Sequence, residues 1–358
     1  MNKRHFIQSL AASAVMAWLA PASAQGTVNA VMDADAVARQ YAAIVYANYS
    51  DTLDAALVMQ TAIQAFVTKP SPTTLGAARD TWKAAREWYG QTEAYRFYGG
   101  PIDDEKGPEG RLNSWPLDES YVDYVKGKPQ SGIVNNRQIT ISKANLARLN
   151  ERGGEENIAA GWHAIEFLLW GQDQSETGPG DRSADDYVDG KAPNADRRRL
   201  YLVTVTELLI DDLRYLVNAW SPGSRNYRAS FEIGGIESVR KIIVGLGSLS
   251  RGELAGERME VALNTQDQED EHSCFSDNTH RDIVNNATGI QNVWLGRYKR
   301  ADGSVLQGPS LRDLVSAKDS ALAERTSNQI AGSVSAALAI HAPFDREIIG
   351  GRDAPGRQ

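Results

Sequence analysis

Residues 155–173 read EENIAAGWHAIEFLLWGQD, and this stretch decides the fold class. Ile158, Trp162, Ile165 and Leu169 recur at alternating steps of four and three, the period of an α-helix. Phe167, Leu168 and Trp170 put apolar groups on the other faces, and a helix apolar on most sides is buried among its neighbours. The spacing predicts a helix over 155–170, ended by Gly171. His163 and Glu166 lie three apart on it, so their side chains share a face. A buried carboxylate needs a partner, because an unpaired charge in the interior is costly. Gly161 costs about 1 kcal/mol relative to Ala inside a helix, so a close approach to the backbone is expected there.

Outward from this segment the same period dominates. Helices are predicted over 33–69, stopped by Pro70 and Pro72, and over 74–97, with Leu75, Ala78, Trp82, Ala85 and Tyr89 on one stripe. A shorter one is expected over 136–150. Beyond Trp170 the spacing predicts helices over 195–220, 232–267, 279–298 and 311–340. Convincing strand alternation and Asn-Gly hairpin signals are absent. Two long polar connections stand out, 102–117 and 171–194. Loops of that length are uncommon in compact domains and are often functional; the first is expected to be ordered by Leu112 and Trp115 packing inward. The architecture that follows is all-α, two packed helical-bundle domains over 30–193 and 194–345, with a disordered tail over 346–358. Each half has a helix ending in a Gly-Pro loop, but the residue match is too thin to establish an internal duplication.

The N-terminus predicts export. Lys3 and Arg4 precede an apolar run over 7–19, and Pro21-Ala22-Ser23-Ala24 places small residues for a cut after Ala24. The run is too short to span a bilayer, and no Cys stands at the cut to carry a lipid anchor. The expected location is the periplasm, with 1–24 removed as a signal peptide and no stable membrane span. The chain has a net charge of −8, and the signal removes two of its cations. An acidic chain argues against a nucleic-acid partner. Cys274 is the single cysteine, so no intrachain disulfide forms and stability rests on the core.

Three groups of residues carry chemistry. His163 and Glu166 either pair with each other or turn their lone pairs to a metal. Trp82, Arg86, Tyr89, Glu93 and Arg96 also step at helical spacing; they form either a charge ladder at a helix seam or a polar cavity in which Glu93 faces a ligand. The third group, QEDEHSCFSDNTHRD over 268–282, crowds Glu269, Asp270, Glu271, His272, Ser276, Asp277, Asn278, His280 and Asp282 together. Asp277 or Asn278 serves as a helix cap there, and oxygen donors with imidazole suit iron, zinc or manganese. There is no His-Glu-x-x-His zinc helix, no Gly-x-Ser-x-Gly elbow and no phosphate-binding Walker loop.

At these residues the chain resembles a known family. GWHAIEFLLWGQD (161–173) resembles the Gly-x-His-x-x-Glu signature of the imelysin family, and FSDNTHRD (275–282) its second signature. ARDTWKAAREWYGQTEAYRFYGGPID (78–103) and GRLNSWPLDESYVDYV (110–125) are similar to its N-terminal blocks. The likeness is nearest to the branch called iron-regulated protein A and runs over almost the whole mature chain. It implies two helical bundles with a site near their interface, export, and a link to bacterial iron acquisition. It carries the signature onto Gly161, His163 and Glu166. The metal set expected is His163, Glu166, Glu93, Asp277 and His280, lined by Trp82, Arg86, Arg96, Trp115, Asp173, Ser276 and Asn278. Iron is the expected metal, zinc its alternative, taken as a bare ion or as a chelate, with other envelope iron-uptake proteins as partners. The family is also filed among metallopeptidases, so a peptidase using His163 and Glu166 stands as a second reading and a metal-free helical scaffold as a third. An enzymatic role is the weaker expectation.

Overall fold

The computed structural model describes residues 33–349 apart from 176, together with 353 and 355–357. The predicted signal peptide lies outside the described residues. The longer helices are α1 (Ala34–Thr68), α2 (Pro72–Tyr89), α3 (Gly161–Trp170), α4 (Ala195–Trp220), α5 (Gly235–Ser248), α6 (Thr279–Leu295) and α7 (Ser320–Ala339). The protein is all-α. Its one described sheet is an antiparallel hairpin of β1 (Arg297–Lys299) and β2 (Val305–Gln307). Among the described residues, no helix is long and apolar enough to cross a membrane.

Local chemistry sets the ends of the helices. Asp33 caps α1 by accepting from the Asp35 N–H, and Pro70 stops the helix one residue past its C-cap, Lys69. Ser71 and Thr74 form a reciprocal capping box on α2, with Pro72 in its first turn. Helix α2 does not run to residue 97 as the spacing predicts. It tightens into a 3-10 turn, Gly90–Tyr95, where α6 crosses it. A Cβ on Gly90 would stand 2.8 Å from the Asn285 Cβ, and one on Gly289 2.4 Å from the Gln91 carbonyl oxygen. Two glycines thus let the α2 extension and α6 approach backbone to backbone.

Helix α1 packs along α2, α4 and α5, and α3 lies against α4 and α2. Helix α6 packs against the α2 extension, α7 and the segment that continues α5, which ties the C-terminal helices to the N-terminal ones. That segment, Leu249–Glu260, is π-helical, with i→i+5 bonding in place of the predicted plain helix. Several other expectations are corrected. Only Lys143–Leu149 is helical within 136–150, and 311–340 divides into Leu311–Ser316 and α7 where Asp319 caps a fresh start. Helix α6 ends at Leu295 on a left-handed Gly296, and the hairpin follows. Helix α4 has the predicted ends. Near the C-terminus Asp345–Ile348 form a short helix, with Ile348 buried.

Candidate functional site: a histidine pair held by two carboxylates

Helix α3 begins six residues later than the spacing suggests. Residues 155–160 run as a loop and turn, with the Ala159 and Ala160 N–H groups both donating to Asn150 Oδ1. Gly161 is therefore the first helical residue, at φ 89°, and a Cβ there would stand 2.5 Å from the Leu112 carbonyl oxygen. The expected close approach is real, but its cause is the 102–117 connection laid across the helix start. Leu112 is buried, and the half-buried Trp115 lies edge-on to His163 at 4.9 Å and to His272 at 6.1 Å. The connection thus roofs the signature helix, as its two apolar residues suggest.

On α3, His163 Nδ1 meets Glu166 Oε2 at 2.8 Å. The other Glu166 oxygen accepts from the Ser276 N–H at 3.0 Å and from its hydroxyl at 2.6 Å. His163 Nε2 faces His272 Nε2 at 2.9 Å, and His272 Nδ1 meets Asp282 Oδ2 at 2.6 Å. The Ser273 hydroxyl also donates to that oxygen, while Arg86 Nη2 donates to Asp282 Oδ1 at 2.9 Å. The four central residues are 0–2 % exposed, so this is a dry relay: carboxyl, imidazole, imidazole, carboxylate. Asp282 sits in the first turn of α6, where the helix dipole favours an anion.

The electrostatics assign the protons. Burial pushes the Glu166 carboxyl up to about 8 against hydrogen bonds from Ser276. Burial, then the neighbouring His272 and Arg86, holds His163 well below the usual imidazole range. Burial and Arg258 bring His272 down to about 3. Burial opposes ionisation of Asp282, but Arg86 and His272 outweigh it and hold the group far below the usual carboxylate range. Asp282 is therefore the anion and accepts from His272 Nδ1–H. That leaves His272 Nε2 as an acceptor, filled by His163 Nε2–H. His163 Nδ1 is then an acceptor too, filled by the proton on Glu166. Every donor in this four-residue relay has an acceptor, with the tautomers set by the network.

Of the predicted residues, the structure brings together His163, Glu166, Ser276 and Trp115. Glu93 belongs to the surrounding network rather than the pair. Arg86 Nη1 donates to Asn113 Oδ1 at 2.6 Å, Asn113 reaches Glu93 at 3.4 Å, and Arg96 Nη1 pairs with Glu93 Oε2 at 2.5 Å. Arg86 pairs with Asp282, so the ladder reading holds only for Glu93 and Arg96. Arg258, on the π-helical segment, adds to it by bonding Glu253. Trp82 is core, donating to the Trp162 carbonyl at 3.1 Å. Among the described residues, Asp277 and His280 make no hydrogen bond to His163 or Glu166. Asp277 takes a left-handed backbone at φ 56°; burial, Asp345 and Asp173 raise its carboxyl to about 7. His280 is half-buried, one position past Thr279 in the first turn of α6, with its Nδ1 unpartnered. Asn278 caps that helix through its carbonyl. Asp173 turns back on the Ser175 N–H. His272 stands in the third sequence group but outside the expected metal set, and Ser273, Asn113 and Arg258 carry no sequence signal as site residues. No group of three or more His, Cys, Asp or Glu side chains is placed to hold one ion among the described residues.

A sequence profile of the family described as Imelysin (Peptidase_M75) matches residues 45–358. The chain belongs to the imelysin family. It is 27 % identical over 306 residues to "Iron-regulated protein A" of Synechococcus elongatus, covering 85 % of this chain and 75 % of that one. Two solved structures share the imelysin fold described here. A putative iron-regulated protein A precursor from Parabacteroides distasonis superposes with a TM-score of 0.67 at 20 % identity, over 90 % of this chain and 89 % of that one. An imelysin-like protein from Psychrobacter arcticum gives 0.60 at 12 % identity, over 87 % of each chain.

Proposed function

We propose that this imelysin-family chain is an exported binding protein of bacterial iron uptake, and that the His163–His272 pair is where its iron is held. One observation carries the reading: two imidazole Nε2 atoms converge at 2.9 Å, each ring oriented from behind on Nδ1, His163 by the Glu166 carboxyl and His272 by the Asp282 carboxylate. Carboxylates placed behind histidine ligands fix their tautomer and raise their basicity, as around metal-bound histidines. If both rings carried the proton on Nδ1, two lone pairs would face each other, and a cation would have to lie between them. Without metal, the His163 Nε2–H fills that gap; for iron to bind, Glu166 passes its proton to His163 Nδ1 and the Nε2 proton leaves to solvent, which frees both lone pairs. Two imidazoles supply two donors, so the iron keeps part of its own ligand shell, as a hydrated ion or a chelate. The half-buried Trp115 is the side chain that must move to admit it. The relative's name supports the iron assignment. The predicted signal supports export.

The peptidase reading draws no support from this arrangement. A metallopeptidase base needs a free carboxylate near an open metal position, and both Glu166 oxygens are engaged.

The test is bound metal and unfolding temperature, with and without iron(II) or zinc, for the mature chain and for His163→Ala, His272→Ala and His280→Ala. Ligand at a hundred times its Kd stabilises a folded chain by about 2.7 kcal/mol, a rise of several degrees. The first two variants should lose that rise and His280→Ala should keep it. Loss in His280→Ala alone, or no metal-dependent rise in the unmodified chain, would refute the assignment.

A further inference from the structure

A second cavity lies on the far side of α6, toward the C-terminus. A cavity of about 800 Å³ opens between the π-helical segment, α6, α7 and the stretch that follows α7. That volume is of the size that holds a drug-sized or cofactor-sized ligand. Its walls are mostly apolar, with Leu254 and Met259 from the π-helical segment, Ile283 from α6 and Ala337 from α7. Two features make it more than loose packing. The first is the π-helix. Bonding of the i→i+5 kind brings residues five apart onto one face, as with Leu254 and Met259, whereas in an α-helix they would diverge. The same bonding pairs Glu253 with Arg258 on the side of the buried charge network. Such helices are rare and concentrate at functional sites. The second is His341 on the lining. Its Nδ1 and its backbone N–H both meet Glu347 Oε1, each at 2.7 Å. Nε2 is thus the nitrogen available to a ligand, on a ring already oriented by a carboxylate.

An apolar cavity of this size with one carboxylate-backed imidazole on its lining is the chemistry that takes a planar metal chelate. The body is held by apolar contact and the metal by an axial histidine. We propose that the cavity binds a flat, largely apolar metal chelate of iron-porphyrin size, with His341 as its axial ligand. The site is separate from His163 and His272 and does not rest on their role.

Titration of the purified mature chain with haemin, followed by absorbance, tests this. A saturable one-to-one shift of the Soret band is expected. His341→Ala should weaken binding at least tenfold and remove the spectrum of the histidine-ligated form. The His341 side chain is 60 % exposed, and the His341 N–H still donates to Glu347 Oε1 in the variant, so the unfolding temperature should stay unchanged. Ala337→Phe narrows the cavity from its α7 wall and should weaken haemin binding by a similar factor without lowering the unfolding temperature. Metal-free protoporphyrin IX should bind at least tenfold more weakly than haemin and be indifferent to His341→Ala. His163→Ala with His272→Ala should bind haemin normally. Absence of a saturable Soret shift overturns the proposal. So does a shift that survives His341→Ala unchanged, or one lost on removing His163 and His272.

Discussion

Gly161→Ala is expected to destabilise the protein by several kcal/mol and to disorder the histidine pair, although it adds one methyl group. Two costs combine. At φ 89° any residue with a Cβ is strained, by roughly 1–2 kcal/mol in the left-handed region. The new Cβ would also stand 2.5 Å from the Leu112 carbonyl oxygen and 2.7 Å from that of Arg111, and backbone cannot rotate away as a side chain can. Either α3 or the 102–117 connection must shift. That connection carries Asn113, which binds Arg86, and Trp115, which covers both imidazoles. The damage therefore reaches the site. Gly76→Ala is the matched control. It lies inside α2 with open space where its Cβ would go, and should stabilise by up to about 1 kcal/mol. Denaturant unfolding of both variants checks the pair. A Gly161→Ala loss no greater than about 1 kcal/mol would show that the contact relaxes freely, and the close-approach argument would fall.

The long helices were legible because burial writes a period into them. Helix α4 has an unbroken stripe between a Pro-Asn start and a Ser-Pro stop, and its ends were read correctly. The start of α3 lies later than the period suggests because Ile158 continues the stripe by coincidence. It is buried, but from a loop pinned to Asn150. The π-helical segment has no signature of its own in an apolar period, since its residues were read at α spacing. The hairpin leaves little trace in the sequence because three-residue strands are too short to alternate, although Asp302-Gly303 between them is a turn signal. At the site, local spacing points to His163, Glu166 and His280, whereas the structure sets His272 against His163. His280 sits in a helix and looked ordered. His272 reaches the pair because Ser273 and Asp277 both take left-handed backbones, which fold 272–278 back over the start of α6. Nothing in the residue types of that segment demands positive φ at a serine. Asp282 was in the quoted block but unassigned, since its partner Arg86 lies 196 positions away in the chain.

Glu166→Gln and Asp282→Asn remove one carboxylate each from the same relay, and their effects should be opposite in kind. Asp282 is ionised and faces Arg86, with both side chains 1 % exposed. Asp282→Asn strands a buried guanidinium and should cost about 3–5 kcal/mol at neutral pH. Its folded pKa lies below the ordinary 3.8, so the stability it contributes is present above that pH and disappears as pH falls. The penalty should therefore shrink in acid. Glu166 is protonated up to about 8, and a Gln Nε2–H can donate to His163 Nδ1 while its oxygen accepts from Ser276. Near pH 5 this variant should match the unmodified chain. As pH rises from about 4.5 through about 8, the unfolded chain releases a proton that folded Glu166 keeps, and the unmodified protein loses a few kcal/mol that the variant does not. Burial also raises Glu271, to about 9, so the difference between the two proteins is the quantity to follow. Unfolding temperatures from pH 4 to pH 9 decide it. A variant curve parallel to the unmodified one would mean that Glu166 is not the proton holder. The same Gln fixes a proton on His163 Nε2, where iron would bind. It should abolish the metal-dependent rise while the fold stays intact, and a variant that keeps the full rise would place the metal elsewhere.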